Sequence, residues 1–116
     1  MPERDNLFQL PPQPWTDEIF DTLHEAEGLQ IERILSSGHT TPEGKWYDQG
    51  GDEWVVLLQG EAEITFEDGS TRWLRPGDYL LIRAHERHRV SYTSAEPPCV
   101  WLAVHIAGPG IPSKDG

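Results

Sequence analysis

Residues 76–90 read PGDYLLIRAHERHRV. Pro76 fixes φ just ahead of Gly77, so Pro-Gly-Asp reads as a turn. Tyr79 to Arg83 form a short apolar run of strand character. A charged loop, Ala84 to Arg87, follows. The chain then re-enters an extended run at His88-Arg89-Val90. Turn, strand, loop and strand in so short a span is the rhythm of an all-β chain.

The rhythm extends outward in both directions. Upstream, EWVVLLQ (53–59) is apolar on both faces, as expected of a strand inside a two-layer structure. Gly60 turns the chain into EAEITFE (61–67), where Ala62, Ile64 and Phe66 alternate with Glu61, Glu63 and Thr65. Asp68-Gly69 is a strong hairpin signal, because both residues tolerate positive φ, and TRWLR (71–75) returns from it. Downstream, HRVSYTS (88–94) and CVWLAVHI (99–106) complete the series, and LQIERILS (29–36) opens it. Short, evenly spaced strands with turn chemistry between them predict a β-sandwich or barrel.

Three segments result. Residues 1–28 form an N-terminal piece. The prolines of LPPQP (10–14) predict an extended arm. WTDEIFDTLHEAEG (15–28) predicts a short helix, with Thr16 or Asp17 as cap and Gly28 as stop. Residues 29–106 carry the β domain, and 107–116 read as a flexible tail.

Composition narrows the function classes. A chain of 116 residues is one domain by length. The formal charge of −11 disfavours nucleic acid and anionic membranes as partners, since both repel such a surface. A single cysteine, Cys99, forms no internal disulfide, and the first residues, MPERDNLFQL, lack the apolar core of a signal peptide. No run is long and apolar enough for a membrane span. The expectation is a cytoplasmic protein.

Two stretches form a spaced pair. In EWVVLLQG (53–60), Glu53 precedes Gly60; in residues 76–90, Pro-Gly-Asp precedes an apolar strand, a loop and His88. The pair resembles the two motifs of the small cupins, over roughly residues 29–106. The resemblance implies a jelly-roll β-barrel with a central cavity and, as in many members, a homodimer. Many members hold a divalent metal in that cavity, with two His and a Glu from the first motif and one His from the second. Glu53 falls on the Glu and His88 on the second-motif His. The two first-motif His are absent. Their ground is held by Tyr47 and Gln49 or by Trp46 and Asp48, depending on a one-residue register, and no His lies between His39 and His85.

Two readings of the site stand side by side. In one, Asp48, Glu53 and His88, with the Gln49 amide oxygen, form an oxygen-rich shell for Mn, Fe(II), Ni or Zn, the harder ions suiting it best. His105 joins only if its strand runs beside that of His88. In the other, Glu53 is bonded to Arg33, Tyr47 or a backbone amide, because a buried carboxylate is costly unless paired. Trp46 and Tyr47 stack on a ligand at the cavity mouth or plug it. His85 and Arg83 rim the cavity or stand in solvent. Arg83, Arg87 and Arg89 offer an anion-binding rim, whereas Arg72 and Arg75 pair with Glu61, Glu63 and Glu67. Three functions follow. One is a small-molecule-binding barrel with a possible metal and an unassigned reaction, Glu53 or His88 being the candidate general base. Another is a metal-free binding or sensor module for a sugar, nucleotide or carboxylate. The third is a structural or partner-binding protein with a filled barrel.

Overall fold

The computed structural model describes residues 4–108. Its eight strands are β1 (Ile19–Ala26), β2 (Leu29–Ser36), β3 (Asp52–Gln59), β4 (Ala62–Phe66), β5 (Thr71–Leu74), β6 (Tyr79–Ile82), β7 (His88–Thr93) and β8 (Cys99–Ile106). They form a five-stranded sheet in the order β1-β2-β8-β3-β6 and a three-stranded sheet in the order β5-β4-β7. The described residues contain no helix. The architecture is all-β, a two-sheet jelly roll.

The alternating residues decide what lies between the sheets. Val55 and Leu57 of β3, Ala62 and Ile64 of β4, Leu74 of β5, Ile82 of β6, and Trp101 and Ala103 of β8 make one buried cluster. Burying each of its larger side chains stabilises the fold by about 1.5–3 kcal/mol. Gly60 leaves β3 at φ +91, where a Cβ would meet Ser94 Oγ at 2.8 Å and Cys99 Sγ at 2.9 Å. The glycine at the end of EWVVLLQG is therefore required by both conformation and space.

The helix expected over residues 15–28 is not formed. Ile19–Ala26 is β1, an edge strand paired antiparallel with β2, and Ala26 faces Leu29 across a two-residue turn at Glu27-Gly28. Ile19, Phe20 and Thr22 suit a pleated surface, and β2 offers an open edge. Tertiary pairing thus outweighs weak cap signals. Most of β1 is exposed, so its sequence carries little burial pattern.

A second departure concerns β7. Period two puts His88, Val90 and Tyr92 on one face. A register shift against β4 between Glu63 and Ile64 breaks that phase. Two residues of β7 then answer one of β4, as in a bulge. Val90 stays inward, Thr93 becomes buried, and Tyr92 turns out to stack on Trp73 at 5.4 Å.

The N-terminal arm packs on the outer face of the larger sheet. Trp15 joins Leu35 and Val100 in a second buried cluster, with Leu10, Ile19 and Leu58 against it. Arg33 fixes the arm by donating to the carbonyl oxygens of Leu7 and Gln9, and pairs with Asp21 through its other nitrogens. The tail expected over 107–116 lies, from residue 109 onward, outside the described residues.

Candidate functional site

One end of the space between the sheets is not filled. A cavity of about 70 Å³ lies there, with Tyr47, Gln49, Glu53, Val55, His88 and Trp101 among its lining residues. Glu53 is carried by β3, opposite Ile82 of β6 and His105 of β8, and is 7% exposed. His88 enters from the other sheet at the start of β7 and is 5% exposed. Its Nδ1 lies 2.9 Å from the Glu86 carbonyl oxygen. A carbonyl only accepts, so Nδ1–H donates and Nε2 is left to face the cavity. Nε2 stands 3.8 Å from Glu53 Oε1.

Tyr47 and Gln49 complete this end. Tyr47 bridges to His88 by backbone bonds in both directions, at 2.7 and 3.2 Å, and its ring stacks on the imidazole at 5.5 Å. Gln49 Nε2–H donates to Glu53 Oε1 at 3.3 Å. The one-residue ambiguity thus resolves with Tyr47 and Gln49 toward the cavity. Counting back from Glu53 in steps of two, through Gly51, reaches Gln49 and Tyr47, a signal the sequence does contain.

The other predicted residues go elsewhere. Asp48 accepts from His85 Nδ1 at 2.8 Å and lies 3.9 Å from Arg87, on the outside. It is not brought to Glu53 and His88. His85 is an exposed loop residue at φ +63. Arg87 is engaged by Glu67, and Arg83 is exposed. Neither arginine lines the cavity, nor does the half-buried Trp46. Arg33, expected as a partner of Glu53, is held by Asp21. His105 sits beside Glu53 on β8, which runs between β2 and β3 and not beside β7; its Nε2 meets Glu32 Oε1 at 2.8 Å. Glu18 and Phe20 line the cavity although nothing in the motifs points to them. They arrive from the segment read as a helix, and only the β1–β2 pairing brings them there.

The site is acidic. Burial pushes the Glu18 carboxyl up, against a hydrogen bond from Ser36, with the Glu32 charge adding to the rise. Burial raises the Tyr47 phenol, and the carboxylates of Glu18 and Glu53 raise it further. The Glu32 hydrogen bond raises the His105 imidazole against the opposing effect of burial, and the Glu53 charge assists. A raised folded pKa contributes stability below the unfolded value and loses it as pH climbs through the folded one. His105→Asn is therefore expected to lower the melting temperature more at pH 6 than at pH 9. Equal losses at both pH values in parallel thermal melts would show that His105 and Glu32 are not an ion pair.

The donor set does not fit the metal shell that the resemblance implies. One imidazole, two carboxylates, an amide and a phenol line the cavity, and one of the carboxylates, Glu18, accepts from the Ser36 hydroxyl. No group of three or more His, Cys, Asp or Glu is placed to hold a metal among the described residues. Catalytic metal sites ordinarily use three protein ligands and structural zinc sites four.

Comparison with known proteins agrees with the architecture. Residues 34–105 match the family described as Cupin domain. A solved structure from Ralstonia eutropha, provisionally named a mannose-6-phosphate isomerase, superposes with a TM-score of 0.87 at 48% identity, covering 92% of this chain and 100% of that one. A cupin superfamily protein from Desulfitobacterium hafniense gives a TM-score of 0.76 at 23% identity, over 92% of this chain and 94% of that one. Over 76 residues the chain is 40% identical to an L-ectoine synthase of Streptomyces anulatus, covering 64% of this chain and 55% of the relative. The chain thus spans about half the length of that curated relative.

Proposed function

The chain belongs to the cupin domain family, and on that premise we propose that its cavity binds a small polar molecule through Glu53 and His88, without a metal among the ligands. The observation that carries this is the pair itself. A carboxylate oxygen and an imidazole nitrogen, the latter an acceptor when the ring is neutral, face each other at 3.8 Å across a cavity. A ligand donor between them satisfies both. The names of the two more similar relatives each specify a small molecule, which supports the same size class. The proposal assigns no reaction. It sets the protein in the cytoplasm, supported by a lone Cys99 that is buried and whose thiol burial pushes up.

The test is a thermal-shift screen of small polar molecules on chelator-treated protein. It is repeated after adding Mn, Fe(II), Ni or Zn. A ligand at about a hundred times its Kd stabilises the native state by about 2.7 kcal/mol. The same rise is expected with and without metal, and it should vanish in Glu53→Gln and His88→Ala. A response that appears only after metal is added overturns the proposal.

We also propose a homodimer through the outer face of the five-stranded sheet. The arm covers only the part of this face around Leu35 and Val100. Beside it, Ile31, Val104, Trp54 and Leu81 form one register row across four strands, and Tyr79 stands next to Leu81 on β6. Tyr79 is 63% and Leu81 47% exposed. Contiguous apolar surface of this kind marks an association site. Leu81→Arg is expected to halve the mass measured by light scattering on a size-exclusion column. A monomeric wild type would defeat the idea.

A further inference from the structure

We infer that the ligand of this cavity is a small organic cation, an ammonium that carries a hydrogen-bond acceptor a few bonds away. The inference rests on the reading that the cavity binds a small molecule, and it names the chemical class.

Charge is the first ground. Glu18 and Glu53 both line the cavity, and no lysine or arginine does among the described residues. Glu32 is close enough to act electrostatically on both Glu18 and Tyr47. Glu53 receives a single side-chain hydrogen bond among the described residues, the long one from Gln49. A carboxylate so nearly buried is costly without a compensating partner. A phosphate or carboxylate ligand would add a like charge with no lysine or arginine of the lining to meet it.

The imidazole gives the second ground. With Nδ1–H committed to the Glu86 carbonyl, the ring in its neutral form presents a lone pair at Nε2 toward the Glu53 carboxylate. A hydroxyl has one proton to offer between two acceptors. An ammonium has three and carries the charge as well. Tyr47, Phe20 and Trp101 supply aromatic walls, and ring faces attract cations.

The third ground is independent of the carboxylates. Trp101 lines the cavity and is 3% exposed, yet its indole N–H has no acceptor among the described residues. Buried indole N–H groups ordinarily find one. A bare metal ion cannot supply it. A ligand with an acceptor does, which is why the cation must carry one.

The test uses three probes matched in size on the full chain at neutral pH: 2-methoxyethylammonium, 2-methoxyethanol and methoxyacetate. The readout is the Trp101 indole N–H resonance, assigned by its loss in Trp101→Phe. The ammonium should shift it saturably, and the alcohol should bind about tenfold more weakly or worse, the discrimination expected of a charged hydrogen bond. Methoxyacetate should leave the resonance unmoved. Glu18→Gln should weaken the ammonium while sparing the alcohol, in a protein whose other resonances stay in place. If the alcohol or methoxyacetate binds as well as the ammonium, the cavity still binds small molecules and the cation is wrong. If none of the three moves the resonance, both the cation and the small-molecule reading fall.

Discussion

Gly51→Ala is expected to lower the melting temperature by about 10 °C, an estimated loss of roughly 3 kcal/mol, and to abolish ligand binding with it. A Cβ at Gly51 would lie 2.2 Å from the Ile106 carbonyl oxygen and 3.0 Å from the Ala107 Cα. Both are backbone atoms, so no rotamer change relieves the contact. The end of β8 must move away from β3, and the Asp52–Ile106 and Glu53–His105 pairings stand at that end. Glu53 is thereby displaced from His88 and Gln49. Calorimetry gives the stability, and the Trp101 indole resonance with a bound probe reports the site. A melting temperature within a degree or two of wild type would mean that the Gly-Gly break does not set the position of Glu53.

Turns, strands and the spaced pair at 53–60 and 76–90 are written in short-range chemistry: proline φ, glycine conformations, period-two alternation. Glu53 and His88 could be named from the resemblance that the spaced pair carries, and two-residue counting reaches Tyr47 and Gln49. The rest depended on long-range events. Asp48 looked like a replacement ligand because carboxylates suit metals; its position one residue out of phase sends it to His85 and Arg87 instead. Glu18 enters the cavity only because residues 19–26 pair with β2 as a strand. The β7 irregularity that turns Tyr92 outward is a property of the ladder, with no glycine at that point to announce it. Short-range signals therefore delivered the barrel and half of the site. The acidic half came from strand pairing in a segment whose own signals read as a helix.

Glu53→Met is expected to eliminate binding while leaving the melting temperature unchanged or slightly higher. Methionine is close to glutamate in length and adapts to irregular space. The carboxylate it removes is 7% exposed and holds one hydrogen bond of 3.3 Å, so its removal relieves more desolvation than it forfeits in bonding. A nearly buried carboxylate is costly without a compensating partner, so an apolar group of similar volume in its place is expected to be neutral or stabilising. Leu57, on the same strand and the same face, makes the control. It is fully buried, and Leu57→Ala should cost about 2–5 kcal/mol. A carboxylate kept for a ligand and a leucine kept for packing thus give opposite signs within one strand. Should Glu53→Met melt as low as Leu57→Ala, Glu53 is held for the fold and not for a ligand. Should it melt normally and still bind, the ligand is recognised by other groups of the cavity.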